Sequence, residues 1–282
     1  MSSTQFRETE QCTIDNARNY YNSEDADNFY YTIWGGEDIH IGLYNSPEDS
    51  IYKASRETVK QMASLLPEIN SSTRILDLGA GYGGAARYLA KTYGCSIVAL
   101  NLSEVENERN RVMNRKLNLQ HLIEVVDGSF EDIPFPDDSF DVVWSQDALL
   151  HSCAREKVVT EANRVLAPGG HFVFTDPMRE DECPQDVLQP ILDRIHLDDL
   201  GSPGFYMDTA VNTGMSLIEI QDHTEQIAHH YGKVLSETEK REDELQSLVS
   251  VEYITRMKTG LEHWINGGRN GHLTWKIFLF QN

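Results

Sequence analysis

Cysteine is scarce: Cys12, Cys95, Cys153 and Cys183 lie far apart in 282 residues and form no CxxC pair. That spacing supports neither a zinc site nor a disulfide framework, so reduced thiols are the expectation. No stretch is long and apolar enough to form a membrane-spanning helix, so no membrane partner is expected. Basic residues are also few, with 24 Lys and Arg against 45 Asp and Glu and a formal charge of −21. Phosphates would be repelled over the whole surface, which argues against nucleic acid and leaves a small molecule as the expected partner. The polar start, Met1 to Gln5, lacks the basic and apolar regions of a secretion signal, and a cytoplasmic protein is the expectation. Such acidity suits solubility in concentrated salt, where screening weakens self-repulsion, or simply solvated helix faces such as Glu237 to Glu244. Charge alone favours the second reading.

What the chain does have is an apolar run that meets glycines, Arg74-Ile-Leu-Asp-Leu-Gly-Ala-Gly-Tyr-Gly-Gly84. Ile75, Leu76 and Leu78 read as a buried parallel strand, and Gly79, Gly81 and Gly83 allow a tight turn into a helix expected from Tyr82. Gly79 to Gly84 fit G-x-G-x-x-G, a weak dinucleotide signature by itself. Asp77 points elsewhere, because its charge would repel a pyrophosphate and attract the ammonium and sulfonium of S-adenosyl-L-methionine. At the end of the next expected strand, Cys95 to Leu100, stands Asn101, whose amide can bind ribose hydroxyls without charge assistance.

Alternation continues downstream. A helix over Glu104 to Asn118, strands over His121 to Val126 and Phe140 to Ser145, and a helix over Ala154 to Leu166 are expected. Ala167-Pro-Gly-Gly170 should break the chain before a strand from His171 to Asp176. This order implies parallel pairing with right-handed crossovers and a ligand beyond the carboxyl ends of the strands. Ser71-Ser72 and Asp176-Pro177 divide the chain into segments 1–70, 71–176 and 177–282, read as one integrated domain. The first looks helical and should lie over the cofactor. The last should hold two final strands, Ser216 to Asp222 and Thr274 to Phe280, separated by a helical insertion from about Glu225 to Trp264 that is a candidate lid.

The blocks Leu76 to Gly81, Asp132 to Asp147 and Val165 to Gly170 together resemble class I S-adenosylmethionine-dependent methyltransferases. Trp34 to Tyr44, Trp144 to Ser152, Phe174 to Met178 and His263 to Trp275 resemble, more narrowly, the sarcosine/dimethylglycine N-methyltransferases that make glycine betaine. The resemblance implies an α/β fold: a Rossmann-like seven-stranded sheet, helices on both faces, and an antiparallel last strand. It also implies methyl transfer to sarcosine, dimethylglycine or both; monomer and homodimer both stay open. Alternatives are another small acceptor such as phosphoethanolamine, a sterol or a secondary metabolite, an NAD-dependent oxidoreductase, or a non-catalytic binding protein.

An amine nucleophile must lose its proton before it attacks, and His151 is the candidate to accept or relay that proton. Its alternative is a histidine satisfied by local hydrogen bonds. Asp147 is read as a partner of the substrate nitrogen or as a helix cap. Among the N-terminal aromatics, Tyr21 and Trp34 match the family pattern and could face a methylated cation, while packing is the commoner use. A substrate carboxylate wants an arginine fork or backbone donors; by position Arg179 is better placed than Arg194 or Arg269, although the family pattern fixes no arginine there and a surface role is the commoner one. Gly201 to Met207 should be a loop over the site, with Tyr206 a donor to the same carboxylate, or else an ordinary helix-entry turn. For the cofactor, Asp77, Gly79, Ala80 and Gly81 should hold the methionine portion, Asn101 and Leu102 the ribose, and Ser129 and Phe130 the adenine, with Gln146 near the methionine end. Asn101 and Ser129 depart from the acids usual at those places.

Overall fold

β1 (Arg74–Leu78) is buried at every position after Arg74, as a central strand covered on both faces must be. It belongs to a computed structural model that describes Arg18, residues 22–195 and residues 197–282. β1 pairs in parallel with β2 (Ser96–Asn101) on one side and β4 (Phe140–Gln146) on the other. β3 (Ile123–Asp127) extends the sheet past β2, and β5 (Leu166–Arg179) extends it past β4. β7 (Leu273–Gln281) lies antiparallel between β5 and β6 (Ser216–Asp222), which completes the order β3-β2-β1-β4-β5-β7-β6. The seven-stranded α/β sheet with an antiparallel last strand is therefore present.

α1 (Glu24–Trp34) and α2 (Ile51–Leu65) precede the sheet, and α3 (Gly84–Tyr93), α4 (Glu104–Lys116) and α5 (Arg155–Val165) connect its parallel strands. α6 (Gln189–Ile195) and α7 (Pro203–Asn212) lead into β6. Between β6 and β7 come α8 (Glu225–Lys240), the single turn α9 (Glu242–Leu245) and α10 (Val251–Arg269). Ser23, Ser50, Ser103, Ser202 and Ser250 start five of these helices by accepting a backbone N–H on their hydroxyls, each worth about 0.5–2 kcal/mol over alanine. None of the described helices is long and apolar enough to cross a membrane.

Three local expectations are corrected. The helix after the glycine turn begins at Gly84, because Gly83 stands before it in the left-handed region at φ 76°. Ala167 to Gly170 does not break the chain ahead of a strand; β5 already begins at Leu166 and runs through it, and the irregularity appears as a register shift, with Phe140 opposite Leu166 but Val142 opposite His171. Gly201 to Met207 is no loop, since Ser202 caps α7 and Pro203 occupies its first turn, where a missing N–H costs nothing.

Apolar clusters cover both faces of the sheet. A third stands apart from it, joining Phe29, Ile33 and Trp34 of α1 to Val234 of α8 and to Tyr253, Ile254, Met257 and Leu261 of α10. The α10 residues recur at helical spacing, so one stripe of that helix faces α1. Each large side chain buried there contributes about 1.5–3 kcal/mol. The first helix and the late insertion thus form one cover over the edge where β1 and β4 end.

Candidate active site

Gly79, Gly81 and Gly83 all have positive φ, at 72°, 51° and 76°, and the turn closes when Gly79 N–H donates to Leu100 O at 2.9 Å. A Cβ on Gly79 would overlap that of Ala148, so the turn packs directly on the residue beyond β4. Above it opens a cleft of about 580 Å³ lined by Gly79, Gly81, Asn101, Leu102, Phe130 and Gln146. A recess beside it reaches Asp77 and Ala80. Six of the nine residues expected for a cofactor therefore line the cleft, and Asp77 and Ala80 line the recess beside it. Ser129 does not: its hydroxyl accepts the Glu131 N–H at 3.1 Å, a turn contact that the sequence position did not reveal.

Two buried carboxylates mark this cleft electrostatically. Asp77 is 3 % exposed and its Oδ2 has no partner among the described residues. Burial pushes its pKa up to about 7, with His40 opposing and Asp38 reinforcing the shift. Glu106, on the first turn of α4, accepts from Asn101 Nδ2 at 2.9 Å. Burial raises it also to about 7, against the pull of that hydrogen bond. Glu106 escaped the sequence reading; the acid missing from the end of β2 is supplied five residues later, from the helix that Ser103 caps.

A second cavity of about 570 Å³ adjoins the cleft and shares Ile39, Asp147 and His151 with it. Asp147 does not cap a helix. Its Oδ1 accepts from Trp275 Nε1 at 2.7 Å and Thr175 Oγ1 at 2.8 Å, and its Oδ2 accepts from Ile41 N–H at 2.7 Å. A carboxylate has about four lone-pair sites, so these three bonds leave one acceptor position on a residue that lines both spaces. Burial raises its pKa, while His40 and the three hydrogen bonds pull it down. The backbone of Asp147 is left-handed at φ 50°, a conformation that costs of order 1–3 kcal/mol in a non-glycine residue and persists only where the surroundings enforce it.

His151 ends a 3₁₀ turn, Leu149–His151, just past β4 and faces both spaces. Trp34 lines the second cavity, joined there by Tyr30, Tyr231 and Trp264. Neither Tyr30 nor His40 stands out in the sequence; His40 is buried between Asp38, Ile41 and Gln146. Burial disfavours the charge on His40, but Asp38 and Asp147 outweigh it and hold its pKa above the ordinary value.

Tyr21 lies outside the described residues. Arg179 does not reach either space; it pairs with Asp199 and donates to the carbonyls of Glu180 and Asp181. Tyr206 has no exposed surface, and its hydroxyl donates to Asp176 Oδ2 at 2.7 Å. The two expected holders of a substrate carboxylate are thus engaged elsewhere, one by an acid after α6 and the other by its inward place on α7. Among the described residues, Cys95, Cys153 and Cys183 form no disulfide, and no group of residues suited to a metal occurs.

Comparison with known proteins places this geometry. Residues 76–174 match the methyltransferase domain family. The chain is 60% identical over 268 residues to a sarcosine/dimethylglycine N-methyltransferase of Halorhodospira halochloris, covering 95% of this chain and 96% of that one. It is 53% identical to an enzyme of the same name from Aphanothece halophytica, over 94% and 95% of the two chains. The solved structure of a Galdieria sulphuraria protein assigned as a sarcosine dimethylglycine methyltransferase superposes with a TM-score of 0.88 at 47% identity, over 93% and 98% of the two chains.

Proposed function

Because this chain belongs to the sarcosine/dimethylglycine N-methyltransferase family, we propose that it methylates sarcosine, dimethylglycine or both toward glycine betaine, using S-adenosyl-L-methionine. The observation that carries the reading is the meeting of two spaces at Asp147 and His151. One space has the features of a cationic-nucleotide site and the other those of a small-amine site.

The cleft fits the cofactor on its own chemistry. Asp77 keeps a desolvated oxygen without a partner among the described residues, which an ammonium or sulfonium would stabilise. Gly79 and Gly81 leave the turn open to a ligand, Asn101 with Glu106 offers polar groups for a ribose, and Phe130 offers an apolar wall for a purine. When bound, S-adenosylmethionine supplies a methyl group made electrophilic by its sulfonium.

The protein's own task is to present a neutral amine to that methyl group. An alkylamine is mostly protonated near neutral pH, and a protonated nitrogen has no lone pair with which to attack. Asp147 holds the ammonium at the shared wall through its remaining acceptor position. His151, facing the same wall, takes the proton from the nitrogen. The rings of Tyr30 and Trp34 then stabilise the methylated cation by about 0.5–2 kcal/mol each. Phosphoethanolamine fits less well, because no Lys or Arg is among the described residues that line the second cavity.

The test is to incubate the purified protein with methyl-labelled S-adenosylmethionine and, in parallel, glycine, sarcosine, dimethylglycine and phosphoethanolamine. Labelled betaine from dimethylglycine is the expected product. Label confined to phosphoethanolamine would end the proposal.

A further inference from the structure

The second cavity contains a buried donor that the chemistry above leaves idle. His230, on α8, has no exposed surface. Its Nδ1 accepts the Gly42 N–H at 3.2 Å and lies 3.0 Å from the Tyr44 hydroxyl. A backbone N–H can only donate, so Nδ1 is bare and the proton of the neutral ring sits on Nε2. Nε2 has no hydrogen-bond partner among the described residues, although the ring lines the cavity. A buried N–H without an acceptor is rare in folded proteins and calls for an explanation.

We infer that the Nε2–H of His230 holds the carboxylate of the amino-acid acceptor and so decides which end of the molecule faces Asp147 and His151. The inference rests on the substrate class proposed above and adds the group that recognises its acid end. Asp147 and His151 stand on the wall shared with the cleft, whereas His230 lines only the second cavity, so the two ends of a small zwitterion have separate partners. Trp34 packs against the ring at a centroid distance of 5.7 Å. Burial, with His40 and His229 adding to it, lowers the His230 pKa to about 3, so donor and tautomer persist over any working pH. A neutral donor also suits the site better than arginine would, since a further cation would oppose both the sulfonium and the methylated product.

The test compares steady-state kinetics of the full chain, His230→Asn and His230→Gln with dimethylglycine and with its methyl ester. Asparagine keeps an oxygen near Nδ1 for Gly42 but removes the donor at Nε2; glutamine retains an N–H near Nε2. His230→Asn should raise KM for dimethylglycine about tenfold, the loss expected for one hydrogen bond to a charged group, and cut the preference for acid over ester by the same factor. KM for S-adenosylmethionine should stay unchanged, and His230→Gln should recover most of the preference. An unchanged acid-to-ester preference in His230→Asn overturns the inference. A wild-type protein inactive on both sarcosine and dimethylglycine overturns the substrate proposal, and the inference with it. Should His230→Asn fail to fold, the wild-type protein labelled with ¹⁵N-histidine answers the question: the Nε2–H resonance of His230 should move on addition of dimethylglycine, and a stationary resonance overturns the inference.

Discussion

The cleft and the cavity beside it are walled in opposite ways. The cleft is made from the turns at the carboxyl ends of β1, β2 and β4, neighbours in one parallel sheet whose register fixes their spacing. The cavity takes Trp34 from α1, His230 from α8 and Met257 and Trp264 from α10, which meet because apolar helix faces pack together. Backbone geometry holds the first wall, and side-chain packing holds the second. Substitutions in the cleft should therefore disturb the methyl donor alone, whereas those in the cavity act on the acceptor and on the cover together.

Asp147 joins the two walls, and its loss should break the contrast most severely. Asp147→Ala leaves Ile41 N–H, Trp275 Nε1–H and Thr175 Oγ1–H without their acceptor. A stability loss of roughly 2–4 kcal/mol in urea unfolding is expected, with turnover reduced by at least about a hundredfold. A loss below about 1 kcal/mol would show that these bonds do not clamp the cover.

Gly79→Ala tests the backbone-held wall. The new Cβ would meet Ala148, at a φ of 72° that a side chain rarely adopts. KM for S-adenosylmethionine should rise about tenfold or more while KM for dimethylglycine stays within about twofold, at a stability cost of about 1–3 kcal/mol. Equal changes in both constants would remove the proposed separation.

The gentlest test uses pH. The Asp77 pKa of about 7 in the folded protein lies above its ordinary 3.8. Between those values the folded state holds a proton that the unfolded state has lost, so this group lowers the stability of the ligand-free protein as pH rises through the window. A cationic ligand favours the charged carboxylate. Donor affinity should accordingly rise as pH climbs toward 7 and level off above it, with proton release seen by calorimetry in buffers of different ionisation heat. Asp77→Asn should bind more weakly and lose the slope; a slope that survives the substitution belongs to another group.

The same contrast governs what could be read from the chain alone. Asp77, Gly79, Ala80 and Gly81 were legible because a strand end and its turn are contiguous, and the order of strands brings Asn101 and Gln146 to the same edge. His230 and Trp264 were not, since their approach to Trp34 depends on how two distant helical segments pack. His40 lay inside the motif from Trp34 to Tyr44, yet nothing local distinguishes a cavity-lining histidine from a core one. Arg179 was misplaced because position at a strand end does not tell which acid will capture a guanidinium, here Asp199. Tyr206 was misplaced because nothing local tells that its side chain turns inward from α7 and spends its hydroxyl on Asp176.

The antiparallel placement of β7 carries a consequence for the evolution of acceptor choice. Asp222 at the end of β6 lies opposite Lys276 near the start of β7, so the excursion through residues 223–272 leaves and rejoins the sheet between adjoining strands. Topologically it is an enlarged hairpin loop, and lengthening or replacing such a loop changes closure entropy only slowly. A lineage could exchange this cassette whole, trading one methyl acceptor for another, while the strands beneath kept their register.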